Sequence, residues 1–348
     1  MAKKGKHPTL SEVAAVAGVG TTTVSRVING GQRVDPRTLA RVRSAIEELG
    51  YLPNQAARIL KGHRTRTIGL IIPSIADPFF AACAEAAQAV ARANDSLLIV
   101  MTTQNEPRTE LESLNVLMSH RADGLIIAPS SSESKTLRDA LVRVGVPVVA
   151  LDRPLTGSSI PSVVADNFVG ANSATQHLIE HGYQRIACLT GELNLYTIRE
   201  RISGYREAVE SAGLPFIMDT SITDYKSTER AVESLLDGPD RPDAFLTLKN
   251  STTIYAFEAL QKLHYSIPSS VALFGYDDFE LAEAVRPSIS VVQQPIAEIG
   301  RNAAELLFEN LLRQGKDGRF VEPAYPKQVQ LGTRLVRRSS CGCTPVMD

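Results

Sequence analysis

Thr21, Thr22, Thr23, Ser25 and Arg26 crowd into one short stretch, within TLSEVAAVAGVGTTTVSRVIN at residues 9–29. Four hydroxyls and a guanidinium on one helix can donate to phosphate oxygens and base edges, and a threonine methyl suits thymine in a major groove. A second set of chemically able residues lies where apolar runs end: Asp77-Pro78-Phe79-Phe80, Asp152-Arg153 and Gly275-Tyr276-Asp277-Asp278. In open α/β sheets, ligands sit beyond the carboxyl ends of strands, so these residues are candidates for holding a small molecule.

The first set needs a helix-turn-helix to present it. Thr9 and Glu12 have the spacing of a capping box, and Leu10, Val13, Ala14 and Ala17 recur at helical spacing. Gly18 follows where a left-handed residue ends the helix. Val19, Val24, Val27 and Ile28 then make the packing face of a second helix, which stops at Asn29-Gly30-Gly31. The alternative is an ordinary helical hairpin with a solvated polar face. Charge separates the two readings. Residues 1–66 hold 12 Lys and Arg against 4 acids, a net +8, whereas the remaining 282 residues hold 25 against 34, a net −9. A basic head on an acidic body is the pattern of a chain that neutralises nucleic-acid phosphates at one end.

Asp35-Pro36 opens a third helix, whose Leu39, Val42, Ile46 and Leu49 share a face before Gly50. QAARILKG (55–62) is helical but barely two turns long, so it reads as a linker that frays alone, or as a hinge that folds on DNA and wedges Leu60 into the minor groove.

From Thr67 short apolar runs alternate with amphipathic stretches, the pattern of parallel sheets with helices on both faces. The runs are 68–72, 97–101, 124–128 and 146–151, then 186–189, 244–248 and 271–274. Two such sets predict two similar lobes with a cleft between them. With 43% hydrophobic residues the chain can bury a sizeable core. No apolar run of about 18 residues could span a bilayer, and MAKKGKHP has no apolar segment behind it, so the protein is expected in the cytoplasm at the nucleoid.

There is no G-x-G-x-x-G, P-loop or nucleophile elbow, so an enzyme is not expected and no catalytic residue or cofactor is assigned. Cys83 and Cys188 sit in apolar runs, while Cys341 and Cys343 form a C-x-C in a polar tail with no second pair. His177 and His181, four apart on one helix, read as a half-exposed surface pair. No metal site is therefore expected.

VAAVAGVGTTTVSRVING, ELGYLPNQAAR, RTRTIGLIIP, DPFF, PVVALDRPL, RERISGYREA and GYDDFELA, in that order, resemble the landmarks of the lactose-repressor (LacI/GalR) family of bacterial transcription regulators. The resemblance covers nearly the whole chain. It implies an all-α helix-turn-helix head at 1–53, a hinge at 54–65 and a two-lobed α/β body like periplasmic sugar-binding proteins at 66–340. One lobe would take about 66–164 plus 293–322, the other about 165–290 plus 323–340, with a tail at 341–348. It further implies a homodimer on a pseudo-palindromic double-stranded operator and a small carbohydrate effector bound in the cleft.

By the same resemblance Thr21 and Thr22 read bases, Arg26 makes a further DNA contact, and Thr23 and Ser25 face phosphates. Asn29, Leu60 and Lys61 complete the DNA-binding set. Gly20 stands where such proteins usually carry Ser. In the cleft, Phe80 and Tyr225 match aromatic positions that pack on the effector, and Arg201 matches the guanidinium that grips it. Asp152 and Asp277 match carboxylates that accept from hydroxyls, and Asp77 joins them from the strand-end reading. Lys249 replaces an asparagine; pointed into the cleft, it would add a second cation and favour a sugar acid or sugar phosphate. A solute-binding protein without DNA regulation, or a regulator sensing a nucleobase, is the competing function. Ala81, Ala82, Ala86 and Ala89 suggest a paired face on the first lobe.

Overall fold

The computed structural model describes residues 8–28, 34–51, 64–313 and 328–344, and Asn29, Leu60, Lys61 and the hinge through residue 63 lie outside them. The chain divides into a unit at Met1–Thr65 and a unit at Arg66–Asp348.

In the first unit, helices α1 (Leu10–Val16), α2 (Thr21–Ile28) and α3 (Pro36–Leu49) follow from their local signals. Thr9 and Glu12 form the capping box, with the Glu12 amide donating to Thr9 Oγ1 at 3.3 Å and the Thr9 amide donating to Glu12 Oε2 at 2.6 Å. Gly18 and Gly50 both take left-handed φ, +62° and +60°, which spares the Cβ clash that other residues meet there. Asp35 accepts from the amides of Arg37 and Thr38, holding its carboxyl below the usual range through the Thr38 bonds first. Val13, Ala14, Ala17, Val24, Val42, Ala45 and Tyr51 close the core.

The second unit holds two six-stranded sheets. The first takes β1 (Thr67–Ile72), β2 (Leu97–Thr102), β3 (Gly124–Ile127), β4 (Val148–Leu151), β5 (Ser162–Ala165) and β11 (Gln328–Leu331), in the order β11-β5-β4-β3-β1-β2. The second takes β6 (Ile186–Leu189), β7 (Ile217–Asp219), β8 (Ala244–Thr247), β9 (Ala272–Tyr276), β10 (Ser290–Gln293) and β12 (Arg334–Val336), in the order β12-β10-β9-β8-β6-β7. All pairings are parallel except that of β12 with β10.

Helices cover both faces of each sheet, as continuous apolar strands require. In the first lobe α4 (Pro78–Ala93) and α11 (Ile296–Arg313) share one face with Phe79, Phe80, Cys83, Ile299 and Leu307, and α5 (Pro107–Ser119) and α6 (Lys135–Arg143) cover the other through Leu114, Leu117 and Leu137. In the second, α7 (Asn167–Glu180) pairs with α8 (Tyr196–Ser211), while α9 (Tyr225–Asp237) and α10 (Asn250–Lys262) lie opposite. Both paired faces need a close helix approach. A Cβ on Gly204 of α8 would sit 2.2 Å from the Phe168 carbonyl oxygen, and one on Gly300 of α11 would sit 2.4 Å from that of Cys83.

The chain passes between the lobes after Ala165, after Gln293 and after Leu331. The last of these corrects the expected assignment of 323–340 to the second lobe: Gln328–Leu331 pairs with β5 in the first sheet, so the crossing falls at Gly332-Thr333. Cys341 also departs from the expected polar tail. Cys341 ends a short 3-10 turn at Ser339–Cys341 and is fully buried in the second lobe.

Candidate functional site

The cleft cavity is about 200 Å³, and Asp77, Phe80, Asp152, Arg201, Lys249 and Asp277 line it, all of them cleft candidates from the sequence. It draws its walls from both lobes. Asp77 caps α4 by accepting from the Phe79 amide at 3.0 Å, which fixes Phe79 and Phe80 at the cleft edge. Asp152 directly follows β4 and Asp277 directly follows β9, each with left-handed φ of 67° and 66°. Non-glycine residues in that region cost about 1–3 kcal/mol and cluster at binding sites.

Arg153 donates from Nε to Asp152 Oδ2 at 3.2 Å and from Nη1 to Asn105 Oδ1 at 2.8 Å and the Pro129 carbonyl at 3.1 Å. Arg201 is more widely engaged: Nε donates to Asn167 Oδ1 and Nη1 to the Leu248 carbonyl, both at 2.7 Å. Its Nη1 lies 3.8 Å from Asp277 Oδ2, and its guanidinium stacks 3.7 Å from the centre of the Tyr276 ring. Burial pushes the Asp152 carboxyl above its ordinary range, with Arg153 and then Arg201 pulling it back. Asp277 is raised in the same way by burial, against Arg201 and a hydrogen bond from Gln294. Gln294 is 5% exposed, and its Oε1 has no hydrogen-bond partner among the described residues.

Lys249 does line the cavity, but its Nζ lies 2.8 Å from Glu192 Oε2. Four lining carboxylates (Asp77, Asp152, Glu192, Asp277) face three cations (Arg153, Arg201, Lys249), a formal excess of one negative charge. Tyr225 is not among the lining residues. It begins α9 and meets Tyr255 edge-on at 6.1 Å, because the helix start capped by Asp224 and Ser227 turns it toward α10. Sequence reasoning missed Asn105, Glu192 and Gln294. Asn105 follows the strand end at Thr102, so the strand-end rule applied to every run would have found it.

In the head, Thr21, Thr22 and Arg26 are exposed on α2, and Thr23 and Ser25 are half-buried beside buried Val24. The reading face and the packing face of α2 thus separate as the helical spacing implies.

Residues 9–54 match the model of the bacterial regulatory proteins of the lacI family, and residues 65–324 match that of the periplasmic binding proteins and sugar binding domain of the LacI family. The chain belongs to the LacI family. Relatives of this LacI-family regulator include the ribose operon repressor of Escherichia coli strain K12, 33% identical over 95% of this chain and 99% of the relative. The HTH-type transcriptional regulator CelR of Thermobifida fusca is 34% identical over 97% and 99%. A solved CelR–cellobiose complex superposes with a TM-score of 0.69 at 33% identity, covering 96% of this chain and 100% of that one. The lac repressor dimer bound to operator and the anti-inducer ONPF has a TM-score of 0.83 at 24% identity over 97% and 99%, a likeness of fold. The protein is accordingly a sequence-specific DNA-binding transcriptional regulator controlled through a sugar-binding domain, and not an enzyme. No helix among its described residues is long and apolar enough to cross a membrane.

One further grouping corrects the sequence reading. His177 and His181 are not an isolated surface pair, because the C-terminal segment folds back to place Cys341 and Cys343 beside them.

Proposed function

We propose that the cleft binds one neutral monosaccharide and that this binding alters affinity for operator DNA. The carrying observation is the pairing of every cavity cation with a protein acceptor, beside a buried Gln294 Oε1 without a donor among the described residues. A sugar acid or sugar phosphate would have to compete with Asp152, Asp277 and Glu192 for their cations. A hydroxyl instead donates to Gln294, Asp152 or Asp277 and accepts from Arg201 or Arg153, which leaves the existing pairs intact. The volume, about 200 Å³, falls below the roughly 300–1,000 Å³ of pockets for larger ligands, so one ring is favoured over a disaccharide. The ribose operon repressors among the relatives support a pentose.

Asp77, Phe80, Asp152, Arg201, Lys249 and Asp277 hold the ligand, joined by Arg153, Asn105 and Gln294. Thr21, Thr22 and Arg26 read bases while Thr23 and Ser25 meet phosphates, with Asn29, Leu60 and Lys61 completing the DNA contacts. The working form is a homodimer on a pseudo-palindromic operator, paired through the first lobe. There Ala81, Ala82 and Ala86 are half-buried, Ala89 is exposed, and the edge strand β2 shows Leu97 at 61% exposure.

Calorimetric titration with ribose and other pentoses, hexoses, gluconate, sugar phosphates, cellobiose and hypoxanthine tests the ligand. Binding by a pentose or hexose, and a shift in gel retardation of the protein's own promoter DNA by that sugar, is the expected result. Tight binding of only a sugar acid, a phosphate, cellobiose or a base overturns it. Arg26→Ala is expected to cost about 1–3 kcal/mol of operator binding with relaxed preference at one base pair, whereas a uniform loss on every sequence marks a phosphate contact.

A further inference from the structure

The end of α7 and the segment after β12 bring two imidazoles and two thiols together. His177 and His181 stand one helical turn apart, with ring centres 4.5 Å from each other. His177 Nε2 lies 3.3 Å from Cys341 Sγ and 3.5 Å from Cys343 Sγ, and His181 Nε2 lies 3.4 Å from Cys343 Sγ. The donor atoms of His177, His181 and Cys343 all fall within 4.8 Å of one another. In a tetrahedral zinc site, with Zn–N about 2.0–2.1 Å and Zn–S about 2.3 Å, nitrogen and sulfur ligands stand about 3.5 Å apart.

We propose that His177, His181, Cys341 and Cys343 bind one zinc-class cation that ties the C-terminal segment to α7. Thiolate with imidazole selects zinc over the hard ions magnesium and calcium. On binding, the two thiols release their protons to solvent and the sulfurs coordinate the ion, with no change of oxidation state.

The surroundings suit that role. Gly342 between the cysteines has φ +94°, and a Cβ there would lie 3.0 Å from the Tyr183 hydroxyl oxygen. Glycine therefore lets the chain reverse so that both neighbours face the histidines. Ser290 Oγ donates to Cys341 Sγ at 3.1 Å, and His177 packs edge-on against Phe274 at 5.7 Å, so the inner half of the site is held by its neighbours. His181 is exposed and Cys343 half-exposed, which gives an ion a way in. The site stands apart from the cleft: none of its four residues lines the cavity.

The test uses the full chain with reduced thiols, stripped by chelator and titrated with cobalt(II), then zinc(II). One equivalent of cobalt is expected to bind with tetrahedral ligand-field bands and sulfur-to-cobalt charge transfer, to be displaced by zinc, and zinc is expected to raise the melting temperature. His181→Ala and Cys343→Ser, which change accessible side chains, are expected to lose more than about 100-fold in affinity, beyond the 10–100-fold that an outer partner contributes. His264→Ala, an exposed histidine elsewhere, is the control and retains binding. A cobalt spectrum without sulfur charge transfer overturns the proposal. So do equal affinities across wild type, His181→Ala and Cys343→Ser, or a Cys341–Cys343 disulfide in protein purified without oxidant. None of these outcomes bears on sugar or operator binding.

Discussion

In the first lobe the strand Val148–Leu151 runs into Asp152, and in the second Ala272–Tyr276 runs into Asp277, both turned left-handed by nearly the same angle. In strand order the two sheets correspond, differing in the direction of the rim strand, yet the carboxylates are restrained differently. Asp152 is paired with its own chain neighbour, Arg153. Asp277 is reached by Arg201 from α8, which also ties Asn167 at the start of α7 and the carbonyl after β8. The neighbour Asp278 turns outward to a bidentate pair with Arg338, both contacts at 2.9 Å. One lobe therefore holds its ligand group locally, and the other holds it through a network spanning several elements.

The largest test of that contrast is Arg201→Ala. It leaves Asp277 without its buried cation and unties three elements, so denaturant unfolding is expected to show a loss of about 3–5 kcal/mol. Arg153→Ala is expected to lose less stability while still weakening sugar binding, since Asn105 and Asp152 lie at the cleft edge. Equal losses would break the comparison. Next come Gly204→Ala and Gly300→Ala, which push a methyl against backbone in the two helix pairs. Each is expected to cost about 1–3 kcal/mol by the same measurement, and an unchanged midpoint in either would show that its pair can spread.

A smaller effect lies in pH. Burial raises Asp152 and Asp277, so between the unfolded and the folded carboxyl range the native state holds more protons, and stability falls as pH rises through that window. Asp277→Asn is expected to flatten this fall in denaturation curves taken across mildly acidic pH, and an unaltered slope would remove Asp277 from the effect. Last, Tyr225→Ala, which removes the whole ring, is expected to leave sugar affinity unchanged, and a clear loss in titration would return Tyr225 to the ligand.

Local signals made most of the head readable: Thr9 with Glu12, Gly18, Asp35-Pro36 and Gly50 each act within four residues and appear as read. The seven apolar runs likewise became strands, because parallel strands buried on both faces need no partner to announce them. SVVA at 162–165 and SVVQ at 290–293 were too short to stand out, so Gln294 behind the latter went unseen. Arg201 was read from its motif, whereas its partners Asn167 and Leu248 are 34 and 47 residues away and carry no local mark. The His177–Cys341 contact spans 164 residues, which is why two weak motifs each looked empty alone.

The strand Gln328–Leu331 rims one sheet and Arg334–Val336 rims the other, with two residues between them. Both rims are thus translated together, long after the interiors they border. A ribosome paused before Gln328 would carry two sheets with bare edges, each able to recruit a strand from a neighbouring nascent chain. The timing of the codons for 328–336 governs both lobes at once.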